Sequence, residues 1–458
     1  MNITIFGASY VGLVTGAVLA DIGHQVTLVD VLADKVDSIN QGIPPFFEPG
    51  LNTLTARVVQ KGNLVATHVP DGAIRSADII FIAVGTPAQA NGDADLSYVR
   101  QAAMDIGRHL GDQVRPVVVN KATVPIGCGN LVEIWIQDGF ESTFGQPLPR
   151  ERYAVASNPE FLREGSAIHD TLYPDRIVVG TDEPWAQQQL DKLYEPILAQ
   201  TFIPPKEARR PNGFSEIPLV QTDRVTAEMI KYAANAFLAT KISFANEVAN
   251  ISCLVGANVN EVVRGMGLDS RIGPKFLRTG IGWGGSCFSK DISELTMMAD
   301  QYGYQSSILQ ATVAVNRAQR RLVVKKLQEA LKTVKGRRIA IWGLAFKPGT
   351  DDLRDAPAVS VIEHLLRLGA RIHVYDPVAM PALRDSRPDL EILYDSSPEI
   401  AIVHADALIL TTEWPEFERV PLDTIGELMA NPVVIDGRRF WDPPMCRQAG
   451  LAYYAIGQ

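Results

Sequence analysis

A short apolar strand followed by a glycine-bearing turn and a helix occurs twice in this chain, and this repeat limits the possible folds most. Residues 2–6 read as a strand, 7–12 as the turn, 13–22 as a helix and 25–30 as the next strand. The same order returns at 338–342, Gly343, 359–368 and 369–376. In each copy a glycine precedes an acidic strand end by seven positions: Gly23 before Asp30, and Gly369 before Asp376.

Further apolar runs extend both copies into alternating strands and helices. Strands are expected at 79–84 and 117–121 in the first half, and at 407–411 and 433–436 in the second. Such alternation predicts parallel sheets. The fold class is therefore α/β: two Rossmann-like doubly wound parallel-sheet domains joined by a long central helix and a small all-helical region. We place the domains at 1–205, 219–325 and 333–458.

The central helix is expected because residues 223–255 contain neither proline nor glycine. At 1.5 Å per residue such a helix would be ~50 Å long. It could span two domains and pack against a copy of itself, which suggests a homodimer or a higher homo-oligomer. The preceding residues 203–218 are rich in Pro, Arg and Glu and indicate a surface excursion or linker.

The composition is that of an ordinary globular protein with no special partner. Against 43 basic residues stand 52 acidic ones, a net charge of −9, which argues against a nucleic-acid surface. The four cysteines are scattered along the chain, which argues against disulfides and against a metal site. This cysteine usage indicates a reducing compartment. No leader and no apolar run of ~18 residues is evident. We expect a cytoplasmic protein that needs no metal, membrane or nucleic acid.

The N-terminal turn has the pattern of a dinucleotide site. Gly7 and Gly12 fill its first and last glycine positions, but Ser9 occupies the middle one. Asp30 closes the second strand, where it could accept hydrogen bonds from ribose hydroxyls, and Lys35 lies close by in sequence. Val31 and Leu32 follow Asp30 instead of arginines, which favours NAD over NADP. A fold that binds another nucleotide, or none, remains the alternative.

A cysteine in a glycine-rich run is the strongest chemical signal. Cys287 lies within Gly284-Gly285-Ser286-Cys287-Phe288-Ser289-Lys290-Asp291. The glycines leave backbone amides open to a ligand, and the charges lie beside a thiol that must ionise. A dehydrogenase that continues from alcohol to acid needs a nucleophile, because a thiol can trap the aldehyde and carry it on as a thioester. Inert packing of the cysteine is the alternative.

Other polar candidates are ambiguous by pattern alone. Lys231 and Asn235 are four residues apart on the long helix and share one face, yet a lysine that merely reaches solvent fits as well. Glu160 and Glu164 follow a strand and could be a solvated face. Thr86 and Thr123 each follow a strand, where the ligand crevice of such sheets lies; a strand-ending turn is the other reading.

Together these segments resemble the nucleotide-sugar dehydrogenases, and among them the UDP-glucose 6-dehydrogenase family. The similarity covers the whole chain, from the turn at 7–12 to 436–439. Its most specific block is Gly-Gly-Ser-Cys-Phe-Pro-Lys-Asp, which this chain matches except for Ser289 in place of proline. Residues 158–164, 228–235 and 346–354 match further family segments.

The resemblance implies an NAD enzyme that oxidises UDP-glucose to UDP-glucuronate with two NADH, and it implies roles for individual residues. Cys287 would be the nucleophile, and the other catalytic residues would be Lys231, Asn235, Asp291, Thr123 and Glu160. NAD would contact Gly7, Val11, Gly12, Asp30, Lys35, Thr86, Thr123, Glu164, Lys290 and Arg354. The sugar nucleotide would contact Phe161, Leu162, Arg163, Glu164, Lys231, Asn235, Phe276, Leu277, Arg278, Thr279, Gly280, Gly284, Lys347 and Arg438. Arg271 would reach a neighbouring subunit's substrate.

Three departures and two rival readings accompany this resemblance. Ser9 could reshape the pyrophosphate contact, Ser289 could loosen the loop after the nucleophile, and Ala122 replaces a serine before Thr123. A sister enzyme acting on GDP-mannose is one rival, although Phe288 and the Gly437-Arg438-Arg439 ending favour UDP-glucose. A non-catalytic sensor of NAD or nucleotide sugar is the other, and the joint presence of the nucleophile and its polar partners speaks against it.

Overall fold

Two parallel β-sheets organise the computed structural model, which describes residues 1–87, 89, 94–111 and 114–457. The chain divides into two compact units, Met1–Ala233 and Ala234–Gln458. Each unit contains one of the two sheets. The fold class expected from the sequence is confirmed, including the long helix.

The first unit contains an eight-stranded sheet in the order β3-β2-β1-β4-β5-β6-β7-β8. Its strands are β1 (Asn2–Phe6), β2 (Gln25–Val29), β3 (Leu64–Thr67), β4 (Ile79–Ile82), β5 (Val117–Asn120), β6 (Ala154–Ser157), β7 (Ile177–Gly180) and β8 (Leu219–Thr222). Its helices are α1 (Tyr10–Asp21), α2 (Ala33–Asn40), α3 (Leu51–Gln60), α4 (Asp71–Ser76), α5 (Ser97–His109), α6 (Cys128–Phe144), α7 (Ala167–Leu172) and α8 (Pro184–Leu198). All described pairings are parallel except that of β6 with β7.

The long helix α9 (Arg224–Val255) begins in the first unit and continues into the second. The second unit adds α10 (Val259–Leu268), α11 (Ser286–Gln301), α12 (Ser307–Leu331), α13 (Pro357–Arg367), α14 (Met380–Ser386), α15 (Pro398–Ile402), α16 (Leu422–Leu428) and α17 (Pro443–Gln448). Its strands are β9 (Arg338–Trp342), β10 (Arg371–Tyr375), β11 (Ile392–Tyr394), β12 (Ala407–Leu410), β13 (Val433–Asp436) and β14 (Ala452–Ala455). They form a parallel sheet in the order β11-β10-β9-β12-β13-β14.

The two sheets confirm the internal repeat. Read from its own first strand, each contains the order 3-2-1-4-5-6, with a switch point between strands one and four. Apolar residues cover the central strands on both faces, as a parallel sheet with helices on each side requires. In β1, for example, Ile3 and Ile5 belong to one buried cluster and Phe6 to another.

The two copies of the repeat differ in the surroundings of the aspartate that follows their second strand. Asp376 is fully buried and accepts hydrogen bonds from the N–H groups of Leu344, Val378 and Ala379 and from Trp414 Nε1, at 2.7–3.0 Å. Its oxygens therefore fasten the second unit's own loops. Asp30 remains partly exposed beside the glycine turn of the first unit, so of the two aspartates only Asp30 is accessible to solvent.

Several boundaries of helices, strands and segments differ from those expected from the sequence. Tyr10, Val11 and Gly12 form the first turn of α1, not part of the preceding loop. The segment at 203–218 was expected to be a surface excursion or linker, but two of its residues are buried. Ala208 and Ile217 belong to the same apolar cluster as Ile3 and Ile5. Strand β8 lies in the first sheet, which thus extends beyond residue 205; the three-domain division stays a prediction. Within the described part of the chain, no helix is both long and apolar enough to cross a membrane.

Candidate active site

The glycine turn of the first unit is shaped to meet an anion. Gly7 has φ +95°, and a Cβ there would lie 2.7 Å from the Ala83 carbonyl oxygen; a Cβ on Gly12 would overlap the carbonyl oxygen of Gly7. Ser9 has φ −87° and ψ −167°, so serine fits without backbone strain. No described side chain caps α1, which leaves its first N–H groups facing outward.

Asp30 and Lys35 lie beside this glycine turn and form the second part of the candidate dinucleotide site. Asp30 accepts the Ala8 N–H at 2.9 Å and the Leu32 N–H at 3.1 Å, and it pairs with Lys35 Nζ at 3.0 Å. The carboxylate is thus fixed where β2 ends, beside the glycine turn. The cradle and the partly exposed carboxylate fit the pyrophosphate and ribose of NAD.

Thr86 and Thr123 meet at the carboxyl ends of β4 and β5. Thr86 Oγ1 donates to the Thr123 carbonyl oxygen at 2.7 Å. Beside them opens a small cleft lined by Asn120, Ala122, Thr123, Val124, Ser157, Pro159, Glu228, Lys231 and Tyr232. The expected catalytic residues Thr123 and Lys231 therefore line one cleft.

Lys231 forms a buried ion pair with Glu160 at the edge of this cleft. Its Nζ lies 2.9 Å from Glu160 Oε1 and donates to the Glu160 backbone oxygen at 2.6 Å. Lys231 is 4% exposed and Glu160 8%. The reading of Lys231 as a solvent-reaching lysine is therefore wrong. A buried, paired ammonium can stabilise negative charge that develops on an oxygen.

A second buried lysine, Lys121, was not singled out in the sequence. It follows β5, and its Nζ donates to Asn158 Oδ1 at 3.0 Å. Burial is the main cause that lowers the pKa of Lys121 to about 8, with the charge of Lys231 adding to the effect and that of Glu160 opposing it. In the sequence, the only hint of this buried lysine was a single basic residue at the end of an apolar strand.

Glu228 supplies a further buried carboxylate that sequence reasoning missed. From α9 it accepts the Gly127 N–H at 2.6 Å, the Gly129 N–H at 3.0 Å and the Ser157 hydroxyl at 2.8 Å. A negative charge at this place caps the first turn of α6. Burial nevertheless raises the pKa of Glu228. Its partners lie 71 to 101 residues away in sequence, so local pattern could not reveal them.

The segment expected to line the sugar-nucleotide site, 161–164, is held on both sides. Phe161 carries the Arg176 guanidinium 3.6 Å from its ring centroid and Lys231 Nζ at 5.5 Å. Arg163 is paired with Asp170 through two side-chain nitrogens. Leu162 donates its N–H to Glu160 Oε2 at 2.9 Å, which orients that carboxylate.

Glu48 and Tyr10 extend this support toward the cofactor turn. Glu48 accepts the N–H groups of Gly165 at 2.6 Å and Ala167 at 2.7 Å, and it accepts the Tyr10 hydroxyl. Burial and the Glu48 carboxylate raise the pKa of Tyr10. The segment containing Glu164 is thereby linked to the start of α1.

In the second unit, Cys287 is exposed and is the second residue of α11. The expected loop after the nucleophile is therefore a helix, and Ser289 lies in its first turn. Gly285 precedes the helix with φ +86°, a backbone conformation that favours glycine. N–H groups at a helix N-terminus stabilise a thiolate, so this position suits a nucleophilic cysteine.

Buried amides fix the glycine-rich segment before Cys287. Asn316 accepts the Trp283 N–H at 2.8 Å and donates to the Trp283 oxygen at 3.0 Å. Asn246 accepts the Gly280 N–H at 2.8 Å, and Gln319 donates to the Gly280 oxygen at 2.9 Å. These side chains replace the partners that a neighbouring strand would provide, so the segment keeps a defined path.

Asn235 and Asp291 also meet in this unit. Asn235 Nδ2 donates to Asp291 Oδ2 at 2.6 Å, and Asp291 is 1% exposed. The expected pair of an amide and a carboxylate is therefore assembled. An acceptor of this kind can orient a water molecule or a hydroxyl group.

The remaining expected substrate residues are spread over the second unit. Leu277 and Thr279 are buried, Phe276 has φ +64°, and Arg278 pairs with Glu413 at 3.4 Å. Lys347 Nζ lies 5.3 Å from the Phe346 ring centroid. Arg271 pairs with Asp269 at 2.6 Å, and its side chain is exposed. The contacts of these residues with a substrate stay predictions.

Arg438 has an additional structural role. Its guanidinium donates to the carbonyl oxygens of Thr411, Gly282 and Phe346 at 2.7, 3.1 and 2.9 Å. Burial lowers the pKa of Arg438. The arginine thus ties three loops together, one of which leads to Cys287.

Comparisons with known proteins agree with this geometry. Three models of the UDP-glucose/GDP-mannose dehydrogenase family match the chain: the NAD binding domain at residues 1–198, the central domain at 225–318 and the UDP binding domain at 340–443. Two relatives are UDP-glucose 6-dehydrogenase TuaD of Bacillus subtilis (strain 168), 42% identical, and UDP-glucose 6-dehydrogenase of Pseudomonas aeruginosa, 41% identical. The alignments cover 100% of this chain and 93% and 98% of those proteins.

A solved structure supports the same assignment. The UDP-glucose dehydrogenase from the hyperthermophilic archaeon Pyrobaculum islandicum superposes with a TM-score of 0.87 at 35% identity, covering 99% of this chain and 97% of that one. The expected NAD cofactor is confirmed by the matched NAD binding domain. The chain therefore belongs to the UDP-glucose/GDP-mannose dehydrogenase family and is an NAD-dependent dehydrogenase.

Proposed function

We propose that this enzyme oxidises the C6 alcohol of UDP-glucose to the carboxylate of UDP-glucuronate in two steps, each reducing one NAD. The names of the relatives and the matched UDP binding domain support the substrate. The exposed Cys287 at the start of α11 carries the proposal that the reaction goes on to the acid. An alcohol–aldehyde interconversion alone would need no such thiol.

The proposed binding roles follow the expected residues. NAD supplies the hydride acceptor for both oxidations, and its pyrophosphate and ribose meet the turn at 7–12, Asp30 and Lys35. Thr86, Thr123, Glu164, Lys290 and Arg354 complete its site. The sugar nucleotide lies against 161–164, 276–280 and Gly284, with Lys347, Arg438 and a neighbouring subunit's Arg271 as cationic contacts.

In the first step the C6 hydroxyl loses its proton while a hydride leaves C6, so an aldehyde forms. Lys231 stabilises the negative charge on the oxygen, and its pairing with Glu160 at 2.9 Å keeps the ammonium in place. Cys287 Sγ then adds to the aldehyde carbon, and the carbonyl oxygen takes up a proton. The product is a thiohemiacetal bound to the enzyme.

In the second step the thiohemiacetal hydroxyl loses its proton and a second hydride leaves C6, which gives a thioester. Asp291, held by Asn235 at 2.6 Å, or Glu160 assists a water molecule that attacks this carbon. The C–S bond breaks, the Cys287 thiolate leaves, and the carboxylate is released. Glu160 and Asp291 are both buried carboxylates.

Replacing the cysteine tests the covalent step. We expect Cys287→Ser to release at most one NADH per active site and to form no UDP-glucuronate over many turnovers, because serine is a far weaker nucleophile at neutral pH. Cys253→Ser removes another exposed thiol and serves as the matched control with unchanged turnover. Sustained acid formation by Cys287→Ser would exclude the thioester.

Substrate choice is tested separately with GDP-mannose. We expect kcat/KM for UDP-glucose to exceed that for GDP-mannose by at least ~100-fold, since buried polar groups left without their partners reject the wrong ligand. The opposite preference would assign the enzyme to the sister activity. Binding of both nucleotides without NADH formation would indicate a sensor.

A further inference from the structure

Asp355 connects three elements around the nucleophile. Its Oδ2 accepts the Ser289 hydroxyl of α11, and its Oδ1 accepts Arg320 Nη1 of α12 at 2.6 Å. Arg320 Nη2 also donates to the Asp355 backbone oxygen at 3.1 Å and to the Trp283 oxygen at 3.0 Å. One aspartate thus joins both helices to the turn before α13.

Cys287 lies between two attachments to this turn. Upstream, the Gly285 N–H donates to the Arg354 oxygen at 3.0 Å, and a Cβ on Gly284 would lie 2.6 Å from the Asp355 oxygen. Downstream, Ser289 binds the Asp355 carboxylate. The backbone on each side of the thiol therefore rests on residues 354 and 355.

The first turn of a helix has no intrahelical partners for its N–H groups and frays easily. The N-cap residue of α11 is Gly285, which has no side chain to bond these groups. The thiol is stabilised as thiolate only while they stay aligned. A side-chain restraint on Ser289, two residues after Cys287, would therefore bear on the reactivity of the thiol.

We propose that Ser289 and Asp355 are positioning residues, which hold the first turn of α11 so that the Cys287 thiol keeps its reactive environment. This inference rests on the proposed role of Cys287 as the nucleophile. It also gives a function to Ser289, the residue that departs from the family motif: its hydroxyl makes a bond that a proline could not make.

Alkylation of Cys287 by iodoacetamide tests the inference without sugar nucleotide or NAD. The second-order rate is measured from pH 6 to 10 in the full-length protein, and the modified peptide is identified by mass. We expect Ser289→Ala to slow alkylation at pH 7 about fivefold, the effect of losing one partly exposed hydrogen bond to a carboxylate, and to move the pH midpoint upward. The charged side chains nearby are all unchanged in this variant.

Two further variants make the result decisive. Ser289→Thr retains the hydroxyl, so its alkylation rate should lie within about twofold of the wild-type rate. A difference of this size is expected because the strength of one hydrogen bond varies with its surroundings. Ser293→Ala removes an exposed serine one turn later and should leave the profile unchanged. A wild-type profile for Ser289→Ala, or no rescue by threonine, would overturn the inference. Because the assay needs no substrate, a wrong assignment of UDP-glucose would leave its outcome interpretable.

Discussion

Lys121→Met should change the pH dependence of stability in a way that can be calculated. Burial lowers the pKa of Lys121 from its ordinary value of 10.5 to about 8. A difference of about 2.5 pKa units corresponds to about 3 kcal/mol. Between pH 8 and 10.5 the unfolded chain binds this proton and the folded chain does not, so the free energy of unfolding rises with pH. Below about pH 8 both the folded and the unfolded chain bind the proton, so the free energy of unfolding lacks this increase.

Methionine keeps the unbranched stem and removes the ammonium. Asn158 Oδ1 retains a hydrogen bond from the Tyr194 hydroxyl at 2.5 Å. We expect Lys121→Met to raise the free energy of unfolding at pH 7 by about 1–3 kcal/mol, since a partly compensated buried charge is removed. The difference from wild type should shrink by about 2 kcal/mol at pH 9.5, where the wild-type lysine is largely neutral.

Urea unfolding followed by tryptophan fluorescence at pH 7, 8, 9 and 9.5 measures this difference. Comparing variant with wild type cancels the other titrating groups. Lys192→Met, at an exposed lysine of α8, is the matched control and should show no pH-dependent difference. A Lys121→Met difference that is the same at every pH would refute the assigned charge state and its cause.

Three further changes test the site. Asp291→Asn should reduce the turnover to acid about 100-fold, because it removes the carboxylate that Asn235 orients; steady-state NADH formation measures it. Gly12→Ala should weaken NAD binding at least tenfold, since its Cβ would overlap the preceding turn; calorimetric titration with NAD measures it. Asn316→Leu should lower the free energy of unfolding by about 1–3 kcal/mol, because the buried Trp283 N–H loses its partner while the Trp283 oxygen keeps its bond from Arg320; urea denaturation measures it.

The features that sequence predicted well depend on local periodicity. The two strand–turn–helix copies follow from apolar runs and glycine placement, and both sheets are parallel as expected, apart from the β6–β7 pair. The shared face of Lys231 and Asn235 follows from their spacing in α9. These patterns concern residues close together in sequence, where backbone geometry alone fixes the neighbours.

The features that sequence missed depend on contacts between distant segments. Glu228 caps α6 across about a hundred residues, and Arg438 donates to three separate loops. The start of α11 at Ser286 was hidden because Gly284 and Gly285 indicate a loop by composition. Which lysine becomes buried, as Lys121 does, is decided by packing of several strands and not by its own neighbours.

The number of NADH formed per UDP-glucose distinguishes oxidation to the acid from oxidation to the aldehyde alone. With limiting UDP-glucose and saturating NAD, absorbance at the NADH band is followed to completion while the sugar product is identified by mass. The thioester route predicts two NADH and one UDP-glucuronate per UDP-glucose, with no free aldehyde. One NADH per sugar together with released aldehyde would contradict the thioester route and the role assigned to Cys287.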